Sequence, residues 1–153
     1  MKNIQLIILG LMWMTTAGAQ QVEYKWKMYE FSVVVDAEMV VINNDAESLI
    51  IAGDGIEIGI YDFVDRRSQG QSLEEFAIFL RRLFRLEDPD PIYPMDTGHL
   101  KGFVAGGYKD FSRIVIFAFD TDQGRFFSTA TFDEDDLDAE EEALKVLKQI
   151  RAE

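Results

Sequence analysis

The chain of 153 residues contains no cysteine. Disulfides, thiol nucleophiles and cysteine-ligated metals are therefore excluded, and so is a lipid-modified cysteine. Histidine is almost as scarce, with His99 alone. Zinc normally takes three or four protein ligands, and a general base needs a positioned partner. One imidazole without a thiol supplies neither. Asp96, His99 and a serine make a triad only on paper, because no serine stands in a G-x-S-x-G turn. Bases are in short supply too, with 15 Lys and Arg against 28 Asp and Glu. Nucleic-acid binding needs clustered cations on phosphates, so it is not expected here, and anionic membrane surfaces are disfavoured for the same reason.

Long apolar runs are missing as well. The longest, Ile4 to Met14, follows Lys2 and precedes Ala17-Gly18-Ala19, the n-region, h-region and small-x-small order of a secretory signal. It falls short of the roughly 20 residues that span a bilayer, the alternative being an uncleaved anchor. The expectation is a signal peptide over 1–19 and one exported α+β domain over 20–153, periplasmic or secreted. No transmembrane segment follows cleavage. Without Lys2 that domain carries 28 acids and 14 bases.

Short runs rich in β-branched residues predict strands over Met28 to Val35, Glu38 to Ile42, Leu49 to Ala52 and Ile56 to Phe63. In the last, Ile56, Ile58 and Ile60 alternate with Glu57, Gly59 and Tyr61, the period of a half-buried strand. Ser72-Leu73-Glu74-Glu75 reads as a capping box, and Leu73, Phe76, Ala77, Leu80, Leu83 and Phe84 follow on one helical face. Pro89 and Pro91 close that helix and its exit. Three antiparallel strands are expected from His99 to Phe132, with a hairpin turn at Asp120 to Gly124. From Phe111 to Phe119 both alternating faces are apolar. Phe111, Val115, Phe117 and Phe119 share one face, so the strand calls for cover on both sides.

The order of these segments resembles the PsbP-like superfamily of exported bacterial proteins. The likeness rests on "YEFSVVV" (Tyr29 to Val35), "IEIGIYDF", the "SLEEF" helix start, "GHLKGFVAGGY" and a closing "ALKVLKQI" helix. One departure is Asp36-Ala37-Glu38-Met39 where that superfamily usually has proline and tryptophan. The resemblance implies an antiparallel β-sheet flanked by two main helices, an α/β/α sandwich. It also implies a binding or assembly role without catalysis, and it brings over no catalytic residue.

Candidate sites are few. Asp133, Glu134, Asp135, Asp136, Asp138, Glu140, Glu141 and Glu142 put eight carboxylates within ten residues. Carboxylates at a helix start interact favourably with its free amides, so Asp136 or Asp138 is expected as N-cap, ahead of an inward face of Leu144, Leu147 and Ile150. Eight exceed what a cap requires. The remainder is either a solvated surface or a face for a basic partner. Calcium is a further alternative, but no loop of alternating oxygen ligands is present. "DTDQGR" (Asp120 to Arg125) fails the EF-hand spacing and reads as a turn. Gly102, Gly106 and Gly107 begin no helix, so they make no phosphate loop and point to close backbone approach.

On the first helix, Arg81, Arg82 and Arg85 form the main basic cluster, a solvated face or one that meets the acidic run. Ile78 lies opposite the core stripe, where a second subunit would cover it in a homo-oligomer. The resulting expectation is a binding or assembly module without catalysis, cofactor or metal. It would recognise a protein or small ligand of the cell envelope. The alternative is an inhibitor or immunity-type protein that holds a basic partner on its acidic C-terminal surface. A third reading, a hydrolase, needs two converging carboxylates, and no spacing singles out such a pair.

Overall fold

A computed structural model describes residues 20–65, 68 and 70–153; the signal-peptide reading of 1–19 lies outside them. The chain runs β1 (Gln21–Trp26), β2 (Phe31–Asp36), β3 (Val40–Asn44), β4 (Ser48–Gly53), β5 (Ile56–Asp62), α1 (Leu73–Leu83), β6 (Tyr93–Asp96), β7 (Lys101–Lys109), β8 (Ser112–Thr121), β9 (Gly124–Asp133), α2 (Leu137–Leu147) and β10 (Arg151–Ala152). All strand pairs are antiparallel. Seven strands form one sheet in the order β3-β4-β5-β9-β8-β7-β6, and β1-β2-β10 form a second.

The molecule is α+β, as expected, but it is not one sheet between two helices. On one face of the large sheet lies α1, packed on β7 and β8. The other face is covered by α2 together with the three-stranded sheet. Their shared core runs from Trp26, Phe31 and Val33 through Phe117, Phe119 and Phe126 to Ala143 and Leu147. A smaller cluster under α1 holds Phe76, Ala77, Leu80, Ile114, Ile116 and Phe127. The alternation in β8 divides these layers: Val115, Phe117 and Phe119 face α2, and Ile114, Ile116 and Ala118 face α1.

Local chemistry sets the helices. The Ser72 hydroxyl accepts from the Glu75 amide at 3.1 Å, and the Glu75 carboxylate accepts from the Ser72 amide at 2.8 Å. This capping box satisfies two amides that the first turn leaves free. At the other end the amides of Arg85 and Leu86 donate to the carbonyls of Arg82 and Arg81, with Arg85 in the left-handed region at φ 55°. That is a Schellman closure with arginine where glycine is usual. Leu83, read as core, is 55% exposed, because the helix closes there and turns its last side chain outward.

Three further readings are corrected, and three strands stand where none was read. The strand read from Met28 to Val35 starts only at Phe31, because a turn takes residues 27–30. A strand not read, β1, precedes that turn, where Gln21–Trp26 pairs residue for residue with Phe31–Asp36. The strand read from Glu38 begins at Val40. Strands β6 and β10 pair at sheet edges where no hydrophobic period marks them. Phe111, read as the inward start of a strand, is 84% exposed in the turn before β8. The alternation runs across that turn without a break in composition. The inward place two residues on is held by Arg113, which is 9% exposed.

Sheet edges are closed by different means. β6 is short and contains Pro94; β1 carries Glu23 and Lys25. Both devices discourage further pairing. β3 has neither proline nor charge, but it shifts register between Val41 and Asn43. Side chains of β1 also reach across to it. The Tyr24 hydroxyl donates to the Met39 carbonyl at 3.0 Å, and the Trp26 indole to the Asp45 carbonyl at 2.6 Å.

Candidate functional site

One end of the molecule gathers the C-terminus of β2, the β4–β5 turn, the β7–β8 turn and the start of α2. The pairings Gly53↔Ile56, Glu57↔Thr131 and Ser112↔Asp133 bring these segments level. A shallow depression of about 400 Å³ between them is walled by Asp36, Asp54, Asp136, Asp138 and Glu142. The acidic run is thus joined by carboxylates from other parts of the sequence.

Half of the run has structural work. Asp136 is the N-cap, its carboxylate accepting from the Ala139 amide at 3.0 Å. The Asp133 carboxylate accepts from the Asp135 amide at 3.0 Å. Glu142 pairs with Lys145 at 3.3 Å and Glu140 with Arg113 at 3.4 Å. Glu134, Asp135, Asp138 and Glu141 are exposed, and among the described residues their carboxylates have no ion pair or hydrogen bond. A stable helix start accounts for the first group and leaves the second unexplained.

Beside these carboxylates the β7–β8 hairpin ends in Asp110-Phe111, with φ values of 49° and 64°. Both are positive, the arrangement of a two-residue I′ turn, which glycine, asparagine or aspartate favours at its second position. A phenylalanine there is strained by roughly 1 kcal/mol or more. It is also the most exposed large apolar side chain among the described residues. Its carbonyl accepts from the Glu134 amide at 3.2 Å, which ties the hairpin tip to the acidic run. Leu137, the first residue of α2, is 77% exposed. Two apolar side chains thus stand in a field of carboxylates.

Behind this surface lies Arg113. Its guanidinium donates to Asp90 and to Glu140, is 3.4 Å from the Gly107 carbonyl, and lies 4.9 Å over the Tyr108 ring. Burial works against the charge, but the hydrogen bond and charge of Asp90, joined by Glu140, outweigh it and raise its pKa. A Cβ on Gly106 would lie 2.6 Å from the Asp90 carboxylate and 3.1 Å from the guanidinium, so glycine makes room for the pair. The Arg113 Nε is buried without a hydrogen-bond partner among the described residues. The pair joins β8 to α2 and to the connection after α1. Arg113→Met should lower stability by about 1–2 kcal/mol, below the cost of a fully buried pair because both carboxylates reach water. Urea midpoints of this variant, Glu140→Gln and the double variant measure it. Additive losses would show that Arg113 and Glu140 are not coupled.

The other sequence candidates lie elsewhere. Ile78 is half-buried on α1, and Arg81 donates to the Asp90 carbonyl at 2.9 Å. Arg82 and Arg85 are exposed. Arg81 and Arg82 sit on α1 and Arg85 just past its end, across the sheet from α2, and among the described residues none of the three forms an ion pair with the acidic run. The bases that do meet the run are Lys145, within α2, and Arg113, which the strand pattern concealed. His99 is exposed in the turn before β7. Among the described residues, no three His, Asp or Glu side chains are placed to hold a metal ion.

At the opposite end a depression is lined by Tyr29, Asp62, Asp120 and Arg125. The Tyr29 hydroxyl donates to Asp62, which pushes its pKa up to about 12, with burial and the Asp62 charge adding to the effect. Arg125 is engaged by Asp120 and by the carbonyls of Ser68 and Gln71, leaving little charge for a ligand.

No protein-family model and no curated sequence matches the chain. The fold matches the solution structure of cyanobacterial PsbP (CyanoP) from Synechocystis sp. PCC 6803. The TM-score is 0.59 at 8% identity, over 91% of this chain and 96% of that one. A Bacteroides thetaiotaomicron crystal structure aligns at TM-score 0.48 and 13% identity, over 88% of this chain and 48% of that one. The fold is PsbP-like. Among the described residues no helix is long and apolar enough to cross a membrane.

Proposed function

We propose that this chain is an exported, non-catalytic binding module that holds a basic protein of the cell envelope on its acidic end. The observation that carries the reading is Phe111, strained and exposed at a hairpin tip that is hydrogen-bonded to the acidic run. Apolar anchors ringed by charge are the usual make-up of a protein interface, with the anchor supplying affinity and the charges supplying rate and choice of partner. Strain retained at an exposed position is a cost to folding that points to use. Export rests on the Lys2 to Ala19 signal pattern.

Phe111→Gly separates the two roles of that residue. It should raise stability by roughly 1 kcal/mol, because Asp-Gly suits the turn. It should also weaken partner capture by about tenfold or more, as loss of an anchor does. Neutralising Glu134, Asp135, Asp138 and Glu141 to their amides should lower capture further and flatten its dependence on salt. Screening shortens from about 8 Å at physiological ionic strength to about 3 Å at 1 M. The check is capture from envelope extract at both salt levels by wild type and variants. A partner held equally by both variants would rule the acidic end out.

A further inference from the structure

Ala17-Gly18-Ala19 sets the point at which the signal pattern would be cut, and the residue that follows it is Gln20. A cut after Ala19 frees the α-amine of this residue. Gln20 then holds a nucleophile and a side-chain amide that can close on each other as a five-membered ring. It is exposed, and its side chain makes no hydrogen bond among the described residues.

The fold uses one group of Gln20 and leaves the reacting ones free. The Gln20 carbonyl accepts from the Ala37 amide at 2.8 Å, extending the ladder that runs on through Gln21↔Asp36 and Val22↔Val35. Its nitrogen makes no backbone hydrogen bond among the described residues. A ring at that nitrogen constrains the backbone as proline does, and the start of a strand is where proline is tolerated. Cyclisation therefore keeps the contact that anchors the start of β1.

We propose that the exported chain begins with pyroglutamate, formed from Gln20 after cleavage behind Ala19. The inference rests on the reading of 1–19 as a signal and adds the chemical state of the end it leaves. The α-nitrogen attacks the side-chain Cδ, so that the N–Cδ bond forms and the Cδ–Nε2 bond breaks. A proton passes from the attacking nitrogen to the leaving one, which departs as ammonia. No oxidant and no second substrate takes part.

Two properties of the chain change with the ring. A terminal ammonium, charged at neutral pH, becomes a neutral lactam. That ammonium would stand opposite Ala37, one residue from Asp36, which walls the acidic hollow. Its loss takes a cation from the border of the acidic end and strengthens the field that draws a basic partner. The lactam also denies exopeptidases a free amine, where trimming past Gln20 would strip from β2 the residues that pair with it.

The test is the intact mass of the chain recovered from the cell envelope after export with its own signal, measured before any digestion. The expected mass is that of residues 20–153 less one ammonia. The peptide Gln20 to Lys25, released by cleavage after Lys25, should carry the loss on its first residue. Stepwise degradation from the N-terminus should stall on the wild type and read through Gln20→Asn, whose side chain is one methylene too short for the same ring. That variant should also focus as one positive charge richer. A wild-type mass of residues 20–153 without the loss overturns the lactam and leaves export intact. A chain that begins anywhere other than Gln20 overturns the cut, and the lactam with it.

Discussion

Phe126→Ala should remove about 3–5 kcal/mol of folding stability, the largest loss expected from a single truncation in this protein. Phe126 is fully buried and sits among four other rings. Its centroid lies 4.8 Å from Phe31, 5.0 Å from Tyr29, 6.0 Å from Phe119 and 6.3 Å from Trp26. Those neighbours come from both sheets, so the ring joins the layers. Truncation forfeits the transfer free energy of the ring and leaves a cavity that stiff aromatic neighbours fill poorly. Domains of this size hold about 5–15 kcal/mol in all, so the variant should approach its unfolding threshold. Urea titration followed by Trp26 emission measures the change. A loss below about 1 kcal/mol would mean that the two sheets are held elsewhere.

The second large effect reverses an ordinary rule. Replacing a strand glycine by alanine usually helps by limiting the unfolded chain. At Gly102 it should cost about 2–3 kcal/mol. The added Cβ would lie 2.0 Å from the Ala118 carbonyl oxygen and 2.7 Å from Phe117 Cε2. The first of these is backbone of the adjacent strand, where Gly102 pairs with Phe119, and it has no rotamer by which to move aside. The strands must separate or the ladder must shift. Thermal melts of Gly102→Ala against wild type decide the sign, and a neutral or stabilised variant would show that β7 has room to move.

How far the sequence could be read follows from which signals are local. The capping box before α1 lies within four residues, and it appears as read. Asp136 as N-cap was one of two expected choices. The close approach at Gly102, Gly106 and Gly107 followed from glycines standing inside a strand pattern. Two-layer cover of β8 followed from its doubly apolar alternation. What escaped depends on partners far along the chain. β1 is half polar and is a strand because β2 pairs with it; β6 and β10 exist only as edges to longer strands.

The candidate surface was half legible for the same reason. The acidic run is visible in one line of sequence, but Asp36 and Asp54 join it only through topology. Phe111 and Arg113 misled as a pair. Both lie on the alternation that puts Val115, Phe117 and Phe119 inside, and composition favours the ring for the core and the guanidinium for solvent. The structure has them the other way round, because the turn falls at Asp110-Phe111 and Asp90 and Glu140 supply countercharge for a buried arginine. The available signal was Lys109-Asp110-Phe111-Ser112, two polar residues around an aspartate-led pair, a turn spacing that a run of apolar residues on either side conceals.

The contacts from Tyr24 and Trp26 to the Met39 and Asp45 carbonyls, which flank β3, also bear on how the protein behaves at high concentration. A strand without charge or proline at the rim of a broad sheet is a template on which further chains can stack. Here two aromatic side chains occupy both ends of that template, and both belong to the layer that closes the core. Protection of this edge and closure of the core therefore depend on the same rings, and loosening the small sheet would bare the β3 edge to further strand pairing.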